Sequence, residues 1–295
     1  MKRIIEIGSP AYLKTKDRQL VIERQGLPIS KLAVEDIAAL ILDCPQALIN
    51  QRTLSFLQEN RVVVITCDTR HQPVGMLLPL QGHTLLAERQ LAQSRFPRPK
   101  QKALWQQIIR SKLAQQAQLL EAEYGSCGGI RKLIPKVKSG DPDNIEAQAA
   151  RRYWRRLFAG TERKFSRNRD AHDFNRFLNY GYAILRALTT RAICGSGLNP
   201  SLGLHHHNRY SDFCLADDLM EPFRPQVDKI VIELAKKLEP DHPLDPTVKA
   251  KLIGVTTQSI TMASENMPLQ HALTRSAQSL AAVIIGSGSE LLLPH

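Results

Sequence analysis

Apolar residues follow two different rhythms along this chain, and the change falls near residue 80. Before it, the short runs Ile4-Ile5-Glu6-Ile7, Leu20-Val21-Ile22 and Arg61 to Thr66 are rich in β-branched side chains and bounded by Gly, Pro or polar turns, which predicts strands. Pro45 to Asn60 places Ala47, Leu48, Leu54 and Leu57 at helical spacing behind a proline suited to a first turn, so a helix is expected there. Gly75 to Leu80 predicts one more edge strand. From Leu86 the period becomes helical. Leu86–Arg95 and Lys100–Tyr124 are separated by Pro97 and Pro99, and further helices are expected over Asp143–Gly160, Asp170–Cys194, Ala216–Leu238, Pro246–Ile253 and Leu269–Ile285. The pattern predicts an α+β chain: a small β-rich N-terminal domain (1–85), a larger all-α domain (86–285) and a frayed, flexible tail (286–295).

Composition bounds what such a chain does. Of its 295 residues 43% are hydrophobic and 23% charged, enough apolar side chain for a substantial core. Glu6 interrupts the first apolar stretch, so no signal-peptide core forms, and no apolar run approaches the ~20 residues that span a bilayer. A soluble, intracellular protein is expected. The five cysteines are scattered and never spaced CxxC, which suits small core fillers in a reducing compartment better than a zinc site or disulfide framework. The formal net charge of +12 is the first functional signal, because a positive field attracts polyanions and releases counterions on meeting a nucleic-acid backbone.

Three segments carry candidate chemistry. In the helix opening near Asp143, Glu146 shares a face with Ala150, Tyr153 and Leu157, where a carboxylate is costly unless paired or metal-bound; the alternative is a carboxylate that only favours the helix N-terminus. The other side of that helix begins a basic run, Arg151, Arg152, Arg155, Arg156, Arg163, Lys164, Arg167 and Arg169, opposed only by Glu162 and Asp170. Arginines four apart repel one another unless a polyanion neutralises them, and Tyr153 and Trp154 offer rings for base stacking; a solvated basic face is the alternative. The third segment sets Gly203-Leu204-His205-His206-His207 ahead of Asp217, Asp218 and Glu221. Asp218 and Glu221 are helical neighbours, and an imidazole beside them makes a mixed nitrogen and oxygen site suited to Mg2+ or Mn2+. Three consecutive histidines cannot all face one ion, so His205 and His207 read as a surface run, while Asp217 has a rival role as a helix N-cap.

Taken in order and separation, these segments resemble the CRISPR-associated integrase family, the endonuclease of the spacer-adaptation complex. The matching residues are Glu146 in Asn-Ile-Glu-Ala-Gln-Ala-Ala-Arg-Arg-Tyr-Trp, Phe177-Leu-Asn-Tyr-Gly-Tyr182, His206 in Gly203-Leu-His-His, and Glu221 in Asp218-Leu-Met-Glu-Pro-Phe-Arg. The resemblance is strongest from about 120 to 230, and Gly8-Ser-Pro-Ala-Tyr-Leu-Lys-Thr-Lys is similar to the type II branch. It implies that Glu146, His206 and Glu221 are catalytic metal ligands for Mg2+ or Mn2+, with Asp218 and His205 beside them in supporting positions. It also implies a homodimeric, metal-dependent DNA endonuclease and integrase that inserts captured DNA into a repeat array by transesterification. The implied partners are prespacer and repeat DNA, the small second CRISPR-associated core protein and the type II effector nuclease. No Ser/His/Asp or Cys/His arrangement and no P-loop competes with that chemistry. Two other classes use the same features: a non-enzymatic helical nucleic-acid-binding protein, and a general divalent-metal nuclease acting on branched DNA in repair.

Overall fold

Two units divide at Thr84 and Leu85 in the computed structural model, which describes residues 2–71, 73–79, 83–159, 165–168, 171, 173–207 and 211–295. The first unit is strand-rich. One four-stranded sheet runs β1 (Arg3–Ile7), β5 (Ile37–Leu42), β7 (Val63–Cys67) and β8 (Pro73–Leu77). Its first three strands are parallel and the last is antiparallel. The other runs β4 (Ser30–Ala33), β3 (Gln19–Glu23), β2 (Ala11–Lys16) and β6 (Ala47–Ile49). β5 reads Ile-Ala-Ala-Leu-Ile-Leu and is buried on both faces, as a strand with parallel partners on either side must be. Asp17 and Arg18 both take positive φ in the hairpin between β2 and β3, the left-handed pair of a two-residue turn. Ile7, Leu13, Leu20, Ile22, Leu40, Leu57 and Val64 meet in the core.

The helix expected from Pro45 starts later. Ala47–Ile49 is strand β6, parallel to β2, and α1 spans Gln51–Glu59. Asn50 ends the strand and caps the helix, its side-chain oxygen accepting from Thr53 N at 2.9 Å. An Asn N-cap outranks a proline upstream as a start signal, and the open edge of β2 takes up the intervening residues. β8 begins at Pro73; Leu80, the expected end of that strand, lies outside the described residues.

The second unit is helical apart from one hairpin. α2 (Leu86–Ser94) is followed by the 27-residue α3 (Arg98–Tyr124), which has Pro99 in its first turn and stops at Gly125 with φ 68°. α4 (Ile145–Leu157), α5 (Asn175–Gly195), α6 (Cys214–Met220), α7 (Arg224–Ala235) and α8 (Pro246–Ile253) follow. The expected continuous helix over Ala216–Leu238 is broken into α6, a 3-10 turn at Glu221–Phe223, and α7. Pro222 and Pro225 cause the break, since each removes a backbone donor and crowds the preceding turn. Asp217 therefore lies inside α6, paired with Arg186 at 2.7 Å, and does not cap a helix.

The second unit is not all-α as expected: β9 (Ser259–Met262) and β10 (Glu265–Pro268) form an antiparallel hairpin before α9 (Leu269–Ile284). Ala263 and Ser264 make its turn at positive φ, without the Gly or Asn that usually announces one. The last ten residues are not frayed. Leu291 and Leu293 are buried, and Pro294 bridges Met262. α3 holds this segment through Gln107 to Leu291 N, Ser111 to Pro294 O, and Gln115 and Gln118 to His295 O.

α5 is buried for most of its length and passes α7 at Gly181, where a Cβ would come within 2.4 Å of Val227 Cγ1. Gly181→Ala is expected to force the two helices apart and to destabilise the protein by about 1–3 kcal/mol. Denaturant unfolding checks this; an unchanged midpoint would show that the helices have slack there.

Candidate functional site

α4 starts where Asp141 caps it. The Asp141 carboxylate accepts from Ile145 N and Glu146 N at 2.9 Å each, which fixes Glu146 in the first turn. The helix buries Ile145, Ala149, Tyr153 and Leu157, so Ala149 takes the inward place read for Ala150, and Glu146 lies at the margin of the buried face. Its Oε1 meets the Lys112 ammonium at 2.5 Å. The same ammonium is 2.6 Å from Glu221 Oε2, so Lys112, reaching from α3, joins the two carboxylates.

Glu221 projects from the 3-10 turn that the prolines impose between α6 and α7. Its side chain is 9% exposed, and Arg224 Nε donates to its Oε1 at 2.8 Å. Burial pushes the Glu221 carboxyl up, but Arg224 and Lys112 outweigh burial and hold it at about 2. Oε2 is buried without an oriented hydrogen-bond donor even though Lys112 stands at ion-pair distance. Burial likewise opposes the charge on Lys112, and the two carboxylates raise its pKa despite it.

Behind this cluster runs a buried chain of polar groups. The Arg224 guanidinium lies 4.6 Å over the Tyr182 ring. Tyr182 and Tyr153 both donate to Asp228, the latter at 2.7 Å. Burial raises Asp228 to about 6, against the pull of the two hydroxyls.

The histidine run diverges, as alternation requires. The His205 ring stacks on Trp105 at 4.3 Å, and His207 Nε2 meets Arg98. His206 turns to Asp218, with Nδ1 at 2.5 Å from Oδ1. Asp218 is wholly buried and also accepts from Leu204 N at 2.7 Å and His205 N at 2.8 Å. Gly203 makes this loop possible, because a Cβ there would stand 2.3 Å from His206 O. The Asp218 hydrogen bond, with burial opposing it, raises the His206 pKa, and the nearby Glu221 and Glu146 charges add to the rise. The bond to Asp218 commits Nδ1 and leaves Nε2 for a ligand, the arrangement of a metal-binding imidazole.

The structure thus joins Glu146 to Glu221 through Lys112 and sets His206 within electrostatic reach of both. Among the described residues no three His, Cys, Asp or Glu side chains stand close enough to hold an ion, and an ammonium lies between Glu146 and Glu221. The donor chemistry still fits a hard divalent cation: two carboxylates already organised around one positive charge, a buried carboxylate oxygen without an oriented donor, and an imidazole positioned through its other nitrogen.

Several residues depart from the expectations above. Tyr153 is fully buried and bonded to Asp228, so it offers no ring to a base, and Trp154 packs on Phe158 and Phe165. Arg151, Arg152, Arg155 and Arg156 form the exposed face of α4. Arg167 instead faces inward, donating to Asn175 and Asn179 at 2.7 Å each. Arg163 and Lys164 lie outside the described residues. Lys112 is a site residue that sequence reasoning misses. Its signal was a charge at the helical spacing of Trp105, Ile108 and Ile109, on the apolar stripe of α3.

The sequence profile of the family described as CRISPR associated protein Cas1 matches residues 6–243. The chain belongs to the Cas1 family. A CRISPR-associated endonuclease Cas1 from Neisseria meningitidis is 35% identical over 297 residues, spanning 99% of this chain and 96% of that protein. A second relative bearing that name, from Pyrobaculum aerophilum, is 27% identical over 97% of this chain and its own full length. Among solved structures, a casposase bound to integration product superposes with a TM-score of 0.81 at 19% identity, covering 99% of this chain and 92% of that one. A Cas1 protein from Thermotoga maritima gives 0.79 at 17% identity, covering 98% and 99%. The strand-rich region followed by a helical one matches the Cas1 fold.

The buried Asp228 beneath this Cas1 site makes a stability prediction. Its pKa is raised on folding, so its contribution is complete below the unfolded value near 3.8 and is lost as pH rises through about 6. Between pH 4 and pH 8 the wild type should therefore lose about 2 kcal/mol more unfolding free energy than Asp228→Asn. Urea denaturation of both proteins across that range measures it; parallel pH profiles would refute the assignment.

Proposed function

We propose that this chain is a divalent-metal-dependent DNA endonuclease and integrase that inserts captured DNA into a CRISPR repeat array. The observation that carries the reading is the meeting of Glu146 and Glu221, from separate elements, around one buried positive charge, with His206 presented by Asp218. The relatives' name, endonuclease, and the casposase's bound integration product support the same chemistry.

Glu146, His206 and Glu221 would hold Mg2+ or Mn2+, which supplies Lewis-acid activation of a phosphoryl oxygen and stabilisation of the leaving oxygen. The protein's own part is positional. Asp218 sets the orientation and tautomer of His206, Arg224 fixes the rotamer of Glu221, and the Asp141 cap places Glu146. The nucleophile is the 3′-hydroxyl of the incoming DNA, so phosphoryl transfer needs alignment and charge neutralisation and no attacking side chain. The exposed arginines of α4 provide a sequence-independent grip on phosphates.

Assembly is part of the proposal. Closed homodimers are the commonest oligomers, and one structural neighbour is a Cas6-RT-Cas1–Cas2 complex, with a TM-score of 0.75 over 97% of this chain and 35% of that one. We assign the homodimer, DNA and the second core protein, Cas2, as partners. Among the described residues no helix is long and apolar enough to cross a membrane, and we place the protein in the prokaryotic cytoplasm.

Glu146→Ala, His206→Ala and Glu221→Ala should each reduce Mn2+- or Mg2+-dependent strand transfer into a supercoiled repeat-bearing plasmid by roughly a thousandfold, while DNA affinity is retained. His205→Ala and His207→Ala should change it only modestly. Melting curves run beside the assay separate lost chemistry from lost fold. Full activity of the three ligand variants, or activity in chelator, would end the metal reading.

Binding and chemistry should also separate by substitution. Replacing Arg151, Arg152, Arg155 and Arg156 with Ala should weaken DNA binding for all sequences and lower the log–log salt slope by roughly 0.9 for each phosphate no longer neutralised. Equal affinity and slope in wild type and variant would make this face a merely solvated one.

A further inference from the structure

We infer that Lys112 is a resident cation of the site, one that holds Glu146 and Glu221 together in the metal-free chain and exchanges with the divalent ion when metal binds. The inference rests on the metal reading above and adds a role for a residue that reading does not use. Lys112 lies on the apolar stripe of α3 and its side chain is only 12% exposed. A lysine there is unfavourable unless its charge is matched, and it is matched twice, at 2.5 and 2.6 Å, by Glu146 Oε1 and Glu221 Oε2. Without it, the two carboxylates would face each other with only Arg224 and the nearby His206 to offset them.

The two cations on Glu221 are not equivalent. Arg224 donates an aligned hydrogen bond to Oε1, with its guanidinium seated on the Tyr182 ring. It is tied to the framework and fixes the carboxylate in place. Lys112 reaches Oε2 as a point charge on a flexible stem and leaves that oxygen without an oriented donor. An ion bound by Glu146 and Glu221 would need the space the ammonium occupies, at the ~2.0–2.6 Å of metal–oxygen bonds. The two cannot occupy it together, and an ammonium beside a divalent ion would add like-charge repulsion. Metal uptake would therefore be a displacement, in which the ammonium gives up Glu146 and Glu221 and the two carboxylates would hold the divalent ion in its place. The arrangement keeps the ligands organised without metal and makes the site's affinity lower than its donors alone would give.

The test uses the full-length chain and Mn2+. In calorimetric titration Lys112→Met should bind Mn2+ about tenfold or more tightly than wild type. In chelator it should melt below wild type, and Mn2+ should raise its melting temperature by the larger increment. On the wild-type chain, acetylation of Lys112 read by mass spectrometry should be slow in chelator and faster with Mn2+, with exposed Lys138 as the internal reference; this measurement decides the matter if Lys112→Met does not fold. Equal or weaker Mn2+ binding by Lys112→Met, or Lys112 acetylation indifferent to Mn2+, overturns the exchange. The control is Glu146→Gln. If wild type binds no Mn2+, or Glu146→Gln binds it as well as wild type, the metal site itself falls and the exchange with it. Mn2+ binding that requires Glu146 yet ignores Lys112 removes the exchange alone.

Discussion

The second unit is organised around keeping one buried carboxylate ionised. Glu221 sits in a turn shut off from water, where a carboxyl would ordinarily take up a proton, and Arg224 and Lys112 prevent it. Each of these demands its own support. Arg224 stands on Tyr182, Tyr182 and Tyr153 both bond to Asp228, and Lys112 requires Glu146 as a second counter-charge. Helices α3, α4, α5 and α7 are thereby linked through polar groups as well as packing. Such networks are unforgiving, because removing one member strands the others in a medium of low polarity.

Asp218 and Glu221 keep their i, i+3 spacing, since the backbone stays helical through Met220 and Glu221 and the break at Pro222 and Pro225 falls after them. Their roles nonetheless differ. Asp218 gathers the backbone of the histidine loop and the His206 ring, while Glu221 turns to Lys112 and Arg224. Histidines that are consecutive in sequence end on a tryptophan, a carboxylate and an arginine.

Much of this was visible in the sequence, for reasons that can be named. Period and propensity located α3, α4 and α9 and the strands Ile4–Ile7, Leu20–Ile22 and Val63–Thr66, because each has a strong rhythm and clear stops. β5 went unread: Ile-Ala-Ala-Leu-Ile-Leu is apolar at every position, and a run buried on both faces has no period to detect. The β9–β10 hairpin was hidden by an Ala-Ser turn, and the tail by a Gly-Ser segment that resembles a linker although Leu291 and Leu293 are buried. At the site, Glu146, His206, Asp218 and Glu221 stood out as charges or imidazoles in unusual places. Lys112 did not, since long basic side chains are common on helices, and Arg167 was read with the basic run although it turns to Asn175 and Asn179. Tyr153 erred the opposite way: an aromatic among arginines invites a stacking role, but the helical face to which it belongs is the buried one.

The order in which the site's parts occur along the chain bears on how the protein is made. Lys112 and Glu146 are synthesised well before His206 and Glu221, and the helix bearing Arg151, Arg152, Arg155 and Arg156 is complete at Leu157. A chain stopped between α5 and α6 retains that arginine face but lacks Asp218, so nothing gathers the histidine loop, and it lacks the second carboxylate altogether. Such a product would carry the arginines of α4 without the carboxylate cluster that Glu146 and Glu221 form on Lys112. Glu221, three-quarters of the way along the chain, is thus the part that completes the cluster.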